Sequence, residues 1–231
     1  QGKKILKKVA QLATDTLAQS RQALEQVSAT APAPLKQKFG ETIELTAKLI
    51  EQTQDKLAGK HIPQRIVSFF DPEARAIVKG KLDKPVEFGR TLQLVQDASG
   101  VIVHYEIHRG NPSDKTELIS LVRQTKKVLK QVPRELATDR GYYSSENLNK
   151  LSRMGVRRVG IPKIGRLSRT EKRHQHRRWF KELQRFRCGI EAGISLLKRR
   201  FSLGRVLAKG SPATAVWTGF AIFAFNLWQQ T

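Results

Sequence analysis

The order of strand-like and helical segments between residues 65 and 201 is the feature that most limits how this chain can fold. Three β-type runs come first: "RIVSFFD" (65–71), "PVEFGRTLQLVQD" (85–97) and "VIVHYEIHRG" (101–110). The second and third runs are joined by "DASG" (97–100), whose composition is typical of a hairpin turn. We therefore predict three consecutive strands, the last two of them a hairpin.

Helices and strands alternate in the next part of the chain. A helix is predicted from Asp114, with Glu117 three residues later in a capping pattern, to about Lys130. A fourth strand ("RELATD", 134–139), a helix from Ser144 or Ser145 to Gly155, a fifth strand ("VRRVGIPK", 156–163) and a long helix from about 170 to 201 follow. This order predicts an α/β fold in which helices flank a mixed five-stranded sheet.

The two ends of the chain have different patterns. Residues 1–60 contain two amphipathic helical stretches separated by Pro32 and Pro34, which predicts a helical hairpin or linker region before a main domain over 61–231. The apolar run 213–228 is too short to span a bilayer comfortably, so we interpret it as a buried closing helix. Because Gln1 is the first residue and Met154 the only methionine, we expect a piece of a longer product.

The charge of the chain indicates a polyanionic partner. It has 43 Lys+Arg against 20 Asp+Glu, a net charge of +23, and residues 163–209 hold 15 of the basic residues with only three acids. Nucleic acid is the commonest polyanion bound in this way, while a highly solvated surface is the alternative. With Cys188 as the only cysteine, an internal disulfide and a cysteine zinc site are excluded, and the cytosol is the natural compartment.

Three acids stand at positions where a site can form. Asp71 and Asp139 each end a short apolar strand, and strand ends form the cleft rims of open α/β sheets, although a turn or cap role is the alternative for each. Glu191 lies on the long helix, on one face with Arg187 and Lys198. A simple Arg–Glu pair explains Arg187 but not the scarcity of other acids around Glu191.

Carboxylates from separate elements can hold two divalent ions about 4 Å apart. Such a pair activates water or a 3′-hydroxyl and stabilises the leaving oxygen of a phosphodiester. Carboxylate ligands suit Mg²⁺ or Mn²⁺, and basic residues on the same face would hold the DNA backbone. Other candidates are weaker: we expect His104, His108, His174 and His176 to have surface or packing roles, and Cys188 to be a packing residue.

These residues resemble the DDE transposases of bacterial insertion sequences. The family signature Y-x2-R-x3-E-x6-K is matched by Arg187, Glu191 and Lys198, while Gln184 occupies the tyrosine position. The segments "VSFFDPEARAIVKGKLDKPVEFG" and "ATDRGYYSSEN" are similar to those that carry the two aspartates of the family. The resemblance covers about residues 65–226 and implies an RNase H-like catalytic domain.

The resemblance also implies residue roles and partners. Asp71, Asp139 and Glu191 would be catalytic metal ligands for Mg²⁺ or Mn²⁺, as two ions. The substrates would be double-stranded DNA at the element ends and the target, handled by a homodimer or larger assembly in the bacterial cytoplasm at the nucleoid, with no membrane partner. A nuclease without strand transfer and a DNA-binding remnant are the alternatives. The residues expected to contact DNA are Arg187, Lys198, Arg140, Lys79, Lys81 and Arg199.

Overall fold

The structure, a computed structural model, describes residues 2–27, 30–78, 86–208 and 210–230. It divides into two compact units, an N-terminal unit of residues 1–89 and a C-terminal unit of residues 90–231. This division lies at a different point from the predicted domain boundary between residues 60 and 61. The division reflects compactness and not the extent of a catalytic domain, so the predicted boundary stays a prediction.

Two helices dominate the N-terminal unit. Helix α1 spans Gly2–Val27 and helix α2 spans Ala33–Leu57. They pack through a small apolar cluster centred on Leu17, Ile43 and Ile50. A proline in the first turn of α2 suits a position where the missing N–H has no helical partner. The amphipathic pattern of the sequence thus gives two helices that contact each other.

The predicted first strand, residues 65–71, is wrong: this segment is irregular. The Ile66 N–H donates to the side-chain oxygen of Gln52 at 3.1 Å and the Asp71 N–H donates to Ser68 Oγ at 3.1 Å. Side chains therefore satisfy backbone donors that a neighbouring strand would otherwise take. The strands of this unit are β1 (Arg75–Val78) and β2 (Val86–Gly89), paired antiparallel.

A hairpin opens the C-terminal unit, as predicted. Strands β3 (Leu92–Gln96) and β4 (Ile102–Ile107) pair antiparallel. At the turn, Asp97 Oδ1 accepts hydrogen bonds from the Ser99 N–H at 2.9 Å and the Val101 N–H at 3.1 Å, and Gly100 has a φ of +89°. The single strand predicted over 85–97 is instead two strands, β2 and β3, because the two halves of the run have different hydrogen-bonding partners.

Helices α3 and α4 pack on the next pair of strands. Helix α3 (Asp114–Leu129) is followed by β5 (Glu135–Ala137), a short 3₁₀ turn (Arg140–Tyr142), α4 (Ser145–Arg153) and β6 (Arg158–Gly160), which pairs parallel with β5. The core between them contains Leu118, Val122, Leu151, Val156 and Ile161. Ser113 occupies the N-cap position of α3, without a side-chain capping hydrogen bond in the described residues, so Asp114 is the first helical residue and not the cap that we predicted.

The long helix predicted over 170–201 is two helices, α5 (Arg169–Gln175) and α6 (Arg178–Arg199). They are separated at Arg177, whose ψ of 143° is extended. Helix α7 (Ser211–Gln229) follows. Its inner face packs with Leu197 and Ile102, and its outer face leaves Phe220 70% exposed, so the predicted buried helix is buried on one side only.

The strands form small sheets. Among the described residues, six strands pair in three two-stranded sheets, and the predicted five-stranded sheet is not seen. The chain is a mixed α/β protein of helices and short strands. None of the helices in the described ranges has the length and apolar character that crossing a membrane requires.

Candidate active site

One cleft in the C-terminal unit contains two of the three predicted acids. It encloses about 660 Å³ between β3, α3, β5 and α6, and both Asp139 and Glu191 line it. Asp139 follows β5 and Glu191 lies in the middle of α6. Two elements that are distant in sequence therefore bring carboxylates to the same cavity.

Asp139 has a local structural role as well as a place in the cleft. It caps the 3₁₀ turn: its Oδ1 accepts a hydrogen bond from the Gly141 N–H at 2.7 Å. No hydrogen bond to its Oδ2 is found among the described residues. The turn role that the sequence left open is thus real, and it still leaves one carboxylate oxygen for a ligand.

Sequence reasoning missed a second aspartate beside Asp139. A methyl group placed on Gly141 would lie 2.9 Å from Asp139 Oδ1 and 3.1 Å from Asp114 Oδ2, so the two carboxylates meet around this glycine. Burial raises the pKa of Asp114 above its ordinary range, and the charge of Asp139 adds to the effect. Burial and the same two carboxylates raise the pKa of the Tyr142 phenol. The site therefore contains one more carboxylate than the sequence analysis predicted.

The predicted pairing of Arg187 with Glu191 is present. Arg187 Nη1 donates to Glu191 Oε1 at 2.9 Å, and the Glu191 side chain is 64% exposed while that of Arg187 is 22% exposed. Arg187 Nε is buried without a hydrogen-bond partner in the part of the chain that the structure describes. Arg187 thus keeps a buried donor without a partner, and among the described residues the second oxygen of Glu191 accepts no hydrogen bond.

Three other predicted DNA contacts are exposed cations. Lys198 and Arg199 lie in the last turn of α6, and Arg140 directly follows Asp139. Lys79 and Lys81 lie outside the described residues. The exposed charges are therefore found on the helix that carries Glu191 and on the turn that carries Asp139.

Gln184, at the tyrosine position of the signature, connects the elements that carry the two acids. Its Nε2 donates to the Gly160 carbonyl at 2.5 Å and to the Thr138 carbonyl at 3.3 Å. Thr138 directly precedes Asp139, and Gly160 ends β6. One side-chain amide thus joins α6 to the ends of both parallel strands.

Asp71 lies in the N-terminal unit, in the irregular segment before β1, and its side chain is partly exposed. Its backbone carbonyl accepts a hydrogen bond from the Ala74 N–H at 3.0 Å, which forms a tight turn at the start of "DPEA". Its proposed role in a metal site therefore stays a prediction from the sequence motif.

A second polar cluster lies at the end of β4 and on α3. Glu106, His108 and Glu117 each offer a ligand atom, and these atoms lie within 4.8 Å of one another. His108 Nε2 also contacts Gln93 Oε1 at 3.0 Å, and the Gln93 amide reaches Asp114 Oδ1 at 3.4 Å. The predicted surface or packing role does not describe all contacts of His108. Its ring lies near the carboxylates of Glu106 and Glu117, and Gln93 connects it to Asp114 through two hydrogen bonds.

Comparison with known proteins identifies the class of this domain. Residues 72–227 match the family described as the transposase DDE domain. The chain therefore belongs to that family, which confirms the resemblance to insertion-sequence DDE transposases. The match includes Asp139, Glu191 and Asp114, and it begins one residue after Asp71. No curated protein and no solved structure matches the chain.

Proposed function

We propose that this chain catalyses divalent-metal-dependent cleavage of DNA at the ends of a transposable element and joins the cleaved end to target DNA. The observation that carries the proposal is the convergence of Asp139 and Glu191 on one cleft inside the matched domain. The net charge of +23 supports DNA as the substrate.

Asp139 and Glu191 fit a divalent cation. Each has a carboxylate oxygen not engaged in the hydrogen bonds described above, and carboxylate oxygens are the donors that Mg²⁺ and Mn²⁺ prefer. Asp71 is the third ligand by resemblance to the family, and we propose two ions. Bound ions of this kind activate a water or 3′-hydroxyl nucleophile and stabilise the leaving oxygen of a phosphodiester.

The cations around the cleft would hold the DNA backbone. Arg187 can keep the bond from its Nη1 to Glu191 and direct Nη2 at a phosphate. Lys198 and Arg199 extend this positive surface along α6, and Arg140 supplies a charge next to Asp139. We propose the same role for Lys79 and Lys81, on the basis of the sequence motif alone.

The proposed reaction and the family membership together indicate an assembly and a domain arrangement. Pairing two element ends requires a homodimer or a larger complex on double-stranded DNA. By resemblance to the family, we propose that this complex acts at the nucleoid of a bacterial cytoplasm. An RNase H-like catalytic domain over 61–231, after a helical region over 1–60, is the arrangement that the family membership and the order of elements favour.

The test uses a labelled DNA duplex that carries the end of the element. We expect wild-type protein to nick it with Mg²⁺ or Mn²⁺, to be inactive in EDTA, and to yield joined products when target DNA is added. Asp139→Asn is expected to bind the duplex but not to cleave it. Cleavage without joined products would favour a nuclease, and DNA binding without cleavage by the wild type would favour an inactive remnant. Unchanged cleavage by Asp139→Asn would refute the proposed site.

A further inference from the structure

The two aspartates at Gly141 come from different elements. Asp114 is the first residue of α3, and Asp139 caps the 3₁₀ turn that follows β5. Their oxygens lie 3.1 Å and 2.9 Å, respectively, from the position that a Gly141 methyl group would take. A side chain at residue 141 would therefore displace one or both carboxylates, and glycine keeps the space between them open.

The negative charge of this pair is poorly compensated by the protein itself. Neither aspartate forms a salt bridge within the described ranges, although the chain carries 43 Lys+Arg. Asp114 accepts a hydrogen bond from the Gln93 amide, but its length of 3.4 Å makes it a weak one. Asp114 is partly buried and Asp139 is exposed. Two carboxylates that are close together repel each other, and a cation between them removes the repulsion.

We propose that Asp114 binds the divalent cation together with Asp139, as a carboxylate ligand in addition to Asp71, Asp139 and Glu191. This inference rests on the proposed function, since it concerns the cation of the same cleft. The free Oδ2 of Asp139 and the weakly bound carboxylate of Asp114 supply two oxygens from two elements of one unit. The weak bond to Asp114 comes from Gln93, a buried residue of β3.

A purely structural role for Asp114 makes a different prediction. A negative charge in the first turn stabilises a helix, so removing it would lower the stability of the metal-free protein. If Asp114 is a metal ligand, its neutralisation also weakens Mn²⁺ binding, and in the metal-free protein it relieves the repulsion from Asp139 under either role. The Mn²⁺ affinity therefore separates the two roles.

The experiment measures Mn²⁺ binding by electron paramagnetic resonance and thermal unfolding with and without Mn²⁺. It compares wild type with Asp114→Asn, Asp139→Asn and, as a matched acid in the neighbouring cluster, Glu117→Gln. We expect Asp114→Asn to melt at or above the wild-type temperature in EDTA. We also expect it to bind Mn²⁺ at least about tenfold more weakly, and so to gain less from added Mn²⁺. Glu117→Gln should keep the wild-type affinity.

Each other outcome overturns one of the two proposals. If Asp114→Asn binds Mn²⁺ like wild type while Asp139→Asn does not, the role of Asp114 is refuted and the proposed function stands. Wild-type binding by both variants would refute the metal site itself. If Glu117→Gln alone loses Mn²⁺, the cation belongs to the Glu106, His108 and Glu117 cluster, and the role of Asp114 is again refuted.

Discussion

Replacing Gln184 by methionine tests whether the position of α6 relative to the Asp139 turn matters for activity. Methionine has a similar length but lacks the amide donor, so the bonds to the Gly160 carbonyl (2.5 Å) and the Thr138 carbonyl (3.3 Å) are lost. The Gly160 carbonyl keeps one other donor, the Thr138 N–H at 3.3 Å. The substitution therefore removes one strong and one weak hydrogen bond and leaves neither strand end wholly unpaired.

The expected cost in stability is about 1–3 kcal/mol, the range for losing a buried hydrogen bond whose partner stays in place. For a unit of this size, that corresponds to a decrease of roughly 2–10 °C in the unfolding temperature. The effect on cleavage should be larger than the stability loss explains, because a displacement of about 1 Å in a reacting group can cost on the order of a hundredfold in rate. Urea unfolding and single-turnover DNA cleavage measure the two effects on the same samples.

Gln96→Met is the matched control. Gln96 Nε2 donates to the Gly100 carbonyl at 2.7 Å, a bond of the same kind that closes the β3–β4 hairpin. Gln96 also lines the cleft, but its amide does not bond the segments that carry Asp139 and Glu191. We expect a similar loss of stability with little loss of cleavage at a temperature where both variants are folded. Equal cleavage rates for the two variants, or wild-type stability for Gln184→Met, would show that Gln184 does not position the site.

Three further predictions concern an ion pair, a pair of hydrogen bonds and a DNA contact. The Lys163 side chain and the Ser168 N–H lower the pKa of Glu171 to about 2 from an ordinary value of 4.5, so the stabilising effect of Glu171 is complete above pH 4.5 and is lost as the pH falls towards 2. In this pH window the unfolding temperature of wild type should depend on pH more than that of Glu171→Gln, and identical profiles would refute the prediction. Asn226→Leu removes two bonds to the Ile102 backbone, at 2.8 Å and 2.9 Å, and should cost about 1–3 kcal/mol in urea unfolding, whereas an unchanged midpoint would show that water replaces them. Lys198→Gln should weaken DNA binding for all duplex sequences alike and reduce the slope of log affinity against log salt by about 1, and a sequence-dependent loss would contradict a phosphate contact.

Local chemistry in the sequence predicted those elements whose signals lie within a few residues. The hairpin at Asp97 and the helix capped by Ser144 are both found, because a side-chain oxygen bonds a backbone N–H two to four residues away. Helical spacing also placed Arg187 beside Glu191 correctly.

Features that depend on distant partners could not be predicted. Whether residues 65–71 form a strand depends on a neighbouring strand, and the segment is irregular because Gln52 and Ser68 take its donors. Asp114 reads in the sequence only as a helix-start residue. Its proximity to Asp139 arises from the packing of α3 against the 3₁₀ turn, which no local pattern specifies.

The most direct test of the central claim compares two glutamates of α6 in single-turnover cleavage of an element end. Glu182 pairs with Arg178 at 2.8 Å as Glu191 pairs with Arg187 at 2.9 Å, and both are exposed and line the cleft. They lie nine residues apart, about 13 Å along the helix axis, so one metal site cannot include both. We expect Glu191→Gln to cleave at least about a hundredfold more slowly than wild type while binding DNA normally, and Glu182→Gln to cleave at the wild-type rate. Equal rates for the two variants would contradict a catalytic site built on Glu191.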